Sequence, residues 1–343
     1  MDKEIKTKKN RIDYFDIAKG MGMILVIIGH MPLKNRYLIN FIYSFHMPLF
    51  FIISGYFFKY RENKECIKNI LKKLILPYFI TCILIILYKI IILIKDGNYA
   101  EILNTLKIWG LASLYGSGSG QHFGIRFIGA IWFLLALSLA SYIMNVIYKQ
   151  KYRYLWVVLI AYVGYKTSRY IWLPLSMQVG MVALLFIYLG VLAKEKNILN
   201  KRIPNIVYIF SIFITVFCVF YCGEMSMASN YYKNGLMDII GGVSGTFLFI
   251  KIATLIDKYT KIIKKCFIFI GKNSLLCMCI HLFSLDCLSW KTAHKLIKNI
   301  GINRFDIRST IINIVFVVLT LVIIEIVKKI VISIKNRKKA NIT

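Results

Sequence analysis

The first apolar run of this chain carries three polar side chains at a spacing that acid–base chemistry would use. Asp16 stands three residues before Lys19, and His30 stands eleven residues after it. On an α-helix Lys19 and His30 fall within about 20° of one face and lie roughly 16 Å apart along the axis. Asp16 shares that stripe and is in range to pair with Lys19. The expected product is one helix face with a charge pair near one end and an imidazole near the other. Titratable groups inside apolar spans are costly, so they are functional candidates. A second imidazole, His46, opens the next apolar run, and the small polar pair Ser54-Gly55 follows two turns further in. Such a pair permits close helix approach or contact with a substrate. A lone histidine is more often structural. Two on consecutive spans at matching depth point to proton transfer, because imidazole is neutral near pH 7 and takes a proton from a hydroxyl.

A third cluster, Lys59, Arg61, Lys64, Lys68, Lys72 and Lys73, precedes Leu76-Pro77-Tyr78. One reading is the ordinary excess of basic residues in cytoplasmic loops. The other is a cytosolic anion site for the phosphates of a nucleotide-like donor, with Arg61, Lys64, Lys72 and Lys73 as its residues.

These groups must be positioned by membrane helices. Of the 343 residues 58% are hydrophobic and only 17% charged, with a mean hydropathy of +0.66. That composition lacks the polar surface a soluble core needs. Apolar runs of spanning length fall at 15–31, 41–58, 74–94, 127–148, 154–173, 176–193, 205–222, 235–256, 267–288 and 310–333. The fold class expected is all-α: a polytopic membrane bundle of about ten transmembrane helices. It forms a single domain over 1–343, with a basic N-terminus (1–14) and a basic tail (334–343) on the cytoplasmic side. The segment 99–115 is shorter and amphipathic, and reads as an interfacial or re-entrant helix. The Gly/Ser loop from Gly116 to Gly124 is flexible enough to come close to a ligand. The basic outer loop 289–309 should pack an amphipathic helix on the surface and attract anionic lipid or polymer.

Charge supports both termini inside. The chain has 45 Lys and Arg against 15 Asp and Glu, a net of +30. With a cytoplasmic N-terminus, roughly thirty basic residues fall in inner segments and roughly thirteen in outer loops. The basic excess therefore reads as membrane topology and argues against a nucleic-acid partner. The N-terminus resembles a secretory signal, but Asp13, Asp16 and Lys19 interrupt it and no small-residue cleavage site follows, so it is expected to remain as the first span. The 8 cysteines form no Cys-x-x-Cys and no zinc-finger spacing, so no metal site is expected. Buried free thiols are the expected state, with a Cys222–Cys287 bridge as the alternative.

The stretch Ile12-Asp13-Tyr14-Phe15-Asp16-Ile17-Ala18-Lys19-Gly20, running into Gly29-His30, resembles the opening of the acyltransferase-3 family of membrane O-acyltransferases. The block from Phe45-His46-Met47-Pro48-Leu49-Phe50-Phe51 to Ser54-Gly55-Tyr56 is similar to a specific block of that family. Leu76-Pro77-Tyr78, Ile131-Trp132-Phe133, Tyr188-Leu189-Gly190, Gly271-Lys272-Asn273-Ser274 and Ile280-His281-Leu282 follow in the family's order. The likeness is greatest to the fucose 4-O-acetylase-like branch. It implies transfer of an acyl group, usually acetyl, from cytosolic acetyl-CoA to a hydroxyl of an extracytoplasmic or lipid-linked carbohydrate at a bacterial cytoplasmic membrane. The partners are then acyl-CoA, the glycan and membrane lipid, with no tightly bound cofactor.

On that resemblance His30 is the general base, and His46 orients it or donates to the developing oxyanion. Asp16 and Lys19 hold the thioester end, and either Ser54 or His30 is open as a transient acyl carrier. Tyr56 and Trp132 line the acceptor path, and His281 is a third imidazole candidate. His122 and His294 are expected at the surface. The sequence departs from the family pattern in having Lys19 in place of an arginine, which keeps the charge and loses the planar fork. Gln178 stands where relatives often carry Asp, so an anionic role there is in doubt.

Two other classes fit a bundle of this composition. A sugar or amino-acid transporter or flippase would place one central site between two repeats, yet acidic residues within spans are sparse and no internal repeat is evident. A non-catalytic partner in surface-polymer assembly would keep its function without His30 and His46. A cytosolic acyl-CoA pocket that reaches His30, as against one central site between two repeats, separates the enzyme from the transporter.

Overall fold

The computed structural model describes residues 12–340, and among them there are helices and loops with no strand. Of the expected basic segments 1–14 and 334–343, residues 1–11 and 341–343 lie outside the described residues, and 334–340 continue α14. Helices run in the order α1 (Asp13–Gly29), α2 (Arg36–Tyr56), α3 (Asn63–Ile70), α4 (Leu76–Lys95), α5 (Glu101–Tyr115), α6 (Trp132–Ile147) and α7 (Arg153–Thr167). They continue as α8 (Met177–Glu195), α9 (Asn205–Phe217), α10 (Leu236–Tyr259), α11 (Ile262–Lys272), α12 (Ser274–Cys287), α13 (Lys291–Asn299) and α14 (Phe305–Ala340). A π-turn, Leu71–Ile75, joins α3 and α4 into one helix, and a second, Cys218–Cys222, extends α9.

Six of these helices are long and apolar enough to cross a membrane, or seven if α11 and α12 form one span bent by 75°. The expected ninth span, 267–288, is thus a broken helix. The bend falls at Asn273, whose side chain donates to Phe269 O at 3.1 Å. The remaining expected spans correspond to α1, α6 and α7, of 17, 16 and 15 residues. At 1.5 Å per residue these reach only about 23–26 Å, less than a hydrocarbon core of about 30 Å. Lipid-facing surfaces are plain on α4 and α9, which expose Ile83, Leu84, Ile91, Ile209, Phe210 and Phe213. Rows of exposed apolar side chains on this scale require an apolar solvent.

Close packing is concentrated where glycines let backbones touch. A Cβ on Gly55 of α2 would sit 2.0 Å from Ile187 O of α8, and one on Gly190 would sit 2.0 Å from Ile52 O. The close approach read from Ser54-Gly55 is this α2–α8 crossing. Gly20 and Gly271 do the same between α1 and α11, where a Cβ on Gly271 would meet Asp16 O. Gly22 and Gly29 set α1 against α2, which carry the candidate chemistry: a Cβ on them would lie 2.9 Å from Leu49 and 3.1 Å from Ile42. Buried polar bonds hold other helices in register, as small-residue and polar contacts do in membrane bundles. Ser284 Oγ donates to Asn313 Oδ1 at 2.8 Å and Asn40 Nδ2 to Val219 O at 2.8 Å.

The amphipathic segment 99–115 is helix α5, packed along α4 and ended by Gly116 in the left-handed region at φ 66°. The helix expected within 289–309 is α13. All eight cysteines are free, so Cys222 and Cys287 are not bridged.

Candidate active site

The chemistry-bearing face of α1 lines a cavity of about 420 Å³. Lys19 lies on its wall together with Leu74, Ser274 and Leu275, and His30 lies on it with Tyr43, His46 and the loop residues Met225–Ala228. The volume is in the range of small-molecule sites. Lys19 Nζ pairs with Asp16 Oδ1 at 2.7 Å, as the three-residue spacing requires, and Asp16 is 4% exposed.

The two histidines are held alike. His30 Nδ1 lies 2.8 Å from Val26 O, and His46 Nδ1 lies 2.8 Å from Ile42 O. A carbonyl oxygen only accepts, so Nδ1 carries the proton in each ring and Nε2 carries the lone pair. Each imidazole therefore offers a proton acceptor and is locked to its own helix one turn back. His30 is exposed because its ring opens onto the cavity, whereas His46 is 4% exposed. In the neutral ring the Nδ1–H of His46 is spent on Ile42 O, which leaves Nε2 as an acceptor.

His281 on α12 is fully buried, and its ring stands T-shaped to that of His30 with centroids 5.4 Å apart. Neither His281 nitrogen has a hydrogen-bond partner among the described residues. Tyr43 packs edge-on against His46 with centroids 5.1 Å apart, and its hydroxyl donates to Gly29 O at 3.1 Å, tying α2 to the turn that bears His30. His30, His46 and Tyr43 thus line one end of the cavity, while His281, expected to contact substrate, lies off the wall behind the His30 ring.

Other expected residues divide. Ser54 and Trp132 line the cavity. Ser54 Oγ donates to Phe50 O at 2.7 Å, so its proton is held by its own helix one turn back. Trp132 is held under the Gly/Ser loop, where a Cβ on Gly118 would meet its ring at 2.5 Å. Tyr56 is not on the cavity wall; it packs against Phe15 with centroids 4.6 Å apart, because the α2 turn after Gly55 faces α1 and not the void. Arg61, Lys64, Lys72 and Lys73 also lie off the wall. Arg61 pairs with Glu65 and exchanges hydrogen bonds with Asn145, while Lys64, Lys72 and Lys73 are exposed around the π-turn that leads to Leu74. π-turns recur at functional sites. His122 stacks on Trp172 at 4.5 Å and His294 on Phe305 at 4.7 Å, and neither lines the cavity.

Sequence reasoning passed over Tyr43, Ser119 and Asp286. Ser119 lines the cavity, and its Oγ is buried with no partner among the described residues. The signal for Tyr43 was its place three residues before His46; for Ser119 it was the Gly/Ser loop as a whole. Gln178 is buried and donates to Ile171 O and Thr167 Oγ1 at 2.7 and 3.1 Å while accepting from Leu173 N–H at 2.8 Å. Its amide clamps the turn before α8 with two donated bonds that an ionised Asp could not make. Among the described residues no group of three or more His, Cys, Asp or Glu converges as metal ligands do.

The sequence profile of the acyltransferase-3 family, described as an acyltransferase domain, matches residues 12–327. The chain belongs to the acyltransferase-3 family. No curated protein and no solved structure matches it. With its long apolar helices, this member of the acyltransferase-3 family is a membrane acyltransferase. The family match covers every residue of the cavity wall, from Lys19 to Asp286.

Proposed function

We propose that this acyltransferase moves an acyl group, acetyl in the simplest case, from cytosolic acyl-CoA to a hydroxyl of an extracytoplasmic or lipid-linked carbohydrate. It does so in a bacterial cytoplasmic membrane, as a member of the fucose 4-O-acetylase-like branch. The bundle then has ten spans with both termini inside. The shorter α1, α6 and α7 cross with their flanking turns, and the basic excess of inner segments sets the orientation.

The observation that supports this reading is the shared cavity: one void is lined by both Lys19 and His30, whose Nδ1 is taken up by Val26 O. Acyl-CoA docks with its phosphates among Arg61, Lys64, Lys72 and Lys73, and its thioester passes Leu74 and Lys19. The acceptor hydroxyl gives its proton to His30 Nε2 as its oxygen attacks the thioester carbonyl. The C–S bond breaks, and the departing thiolate takes the proton back from His30. The Ser119 hydroxyl, with no partner among the described residues, is the donor best placed by its environment to serve the oxyanion. The His281 ring props His30 from behind.

The test is purified, detergent-solubilised protein incubated with radiolabelled acetyl-CoA, following free CoA and label on added glycans. CoA release or label transfer that disappears in His30→Ala supports the reading. Folded protein that neither binds nor cleaves acetyl-CoA sinks it.

A further inference from the structure

A second cleft, of about 320 Å³, lies between α4, α5 and α12 and is walled by Tyr88, Lys89, Thr105, Trp109, Asp286 and Cys287, among others. Asp286 also lines the main cavity, so one side chain stands between the two voids. Lys89 Nζ donates to Asp286 O at 2.7 Å, and Arg126 donates to Asp286 Oδ1 at 3.2 Å. Both cations also stand over the Trp109 ring, at 4.6 and 4.4 Å from its centroid. The side chains of Arg126 and Asp286 are 40% and 18% exposed.

Stability does not account for this grouping. Lys89 interrupts the apolar run of α4, and a charge at such a position is costly. One cation would neutralise Asp286; two leave an excess positive charge in a partly buried place. Arg126 Nε is buried and has no hydrogen-bond partner among the described residues, so part of its donor fork is unused. A planar fork with spare donors beside an ammonium is the equipment for a phosphate, whose oxygens only accept.

The rest of the cleft says how such a phosphate would arrive. Its other wall residues include Ile92 and Leu93, and the adjoining faces of α4 and α5 expose Leu87, Ile91 and Leu106. The cleft is thus cationic at the Asp286 end and opens on apolar, lipid-facing helices. An amphiphile fits both features at once, with its chains along α4 and α5 and its head at Lys89, beside Arg126, which is off the cleft wall but bonded to Asp286 on it.

We propose that Lys89, Arg126 and Asp286 form a site for a lipid-borne phosphate, which holds a membrane-anchored acceptor with its sugar past Asp286 in the His30 cavity. The acceptor half of this statement rests on the acyl-transfer reading; the phosphate site does not. Binding draws Arg126 from Asp286 to the phosphate and leaves the carboxylate facing the cavity.

The test is retention of phosphatidic acid by the full chain in phosphatidylcholine nanodiscs, read by native mass spectrometry. Arg126→Gln and Lys89→Gln each lower retention about tenfold, the scale of one charge-assisted hydrogen bond. Lys89→Arg retains the lipid as wild type does, which separates loss of charge from loss of fold. Asp286→Asn raises retention, because it removes the competing carboxylate. Equal retention in wild type and Arg126→Gln overturns the site, as does a fall in Asp286→Asn. Displacement by millimolar inorganic phosphate overturns the lipid source in favour of a free anion. Retention that follows the expected pattern, in protein that transfers no acyl group, supports the phosphate site and sinks the acyl-transfer reading alone.

Discussion

Replacing His30 by alanine should separate chemistry from folding more cleanly than any other change in this protein. The ring sits just past the last turn of α1, exposed to the cavity, and makes one hydrogen bond, to Val26 O. Losing that bond costs about 1 kcal/mol of stability, and the space emptied adjoins the cavity on one side and the His281 ring on another. On the proposed mechanism the catalytic cost is much larger, because there the ring's Nε2 acts as the base. A positioned base contributes about 10²–10⁴-fold, or about 3–5 kcal/mol of barrier. The assay is single-turnover transfer of labelled acetyl at saturating acetyl-CoA, with unfolding followed in the same detergent. The expected result is a loss of at least about a hundredfold in rate with nearly unchanged unfolding. A variant keeping more than a tenth of the wild-type rate, or losing rate only in step with its folded fraction, would refute the assignment.

Four further outcomes follow from the geometry. His281→Phe removes two buried ring nitrogens that have no partner among the described residues, so stability should hold or rise while transfer falls; unchanged transfer would make His281 a spectator. Gly55→Val forces a side chain onto Ile187 O, and should cost at least about 1–3 kcal/mol, read as lost monodisperse protein on size exclusion; normal yield would contradict the α2–α8 contact. Lys19→Met should raise the KM for acetyl-CoA, while Lys19→Arg should retain activity with Asp16 as partner; an effect on the acceptor KM alone would remove Lys19 from the donor end. The fourth concerns pH. In α13 His294 has its pKa lowered below 6.5, first by burial and then by Arg308. The unfolded chain binds this proton more readily, so the His294 contribution is complete above about pH 6.5 and is lost as pH falls toward the folded value. Wild type should lose more stability than His294→Gln between pH 7.5 and 5; a parallel loss would contradict the shift.

The sequence by itself determined the membrane character, the helical class and the family, because each is written locally. Apolar run length, loop charge and the ordered motifs from Ile12 to His281 need no tertiary information. It also determined the Asp16–Lys19–His30 stripe, since one helix has one period, and the close approach at Gly55, since a missing Cβ is visible in the residue type. The distance between helices is not local, so only the tertiary structure decided which candidates share a void. It set Tyr56 against Phe15, kept Lys72 and Lys73 off the wall, and broke the ninth run at Asn273. It likewise brought His281 onto His30 across 251 positions, with Tyr43 holding the turn beside them. The roles of the imidazoles were also beyond sequence, because a backbone carbonyl one turn back fixes which nitrogen holds the proton. Helix crossings at glycine set those contacts, and they depend on how two distant surfaces fit rather than on either surface alone.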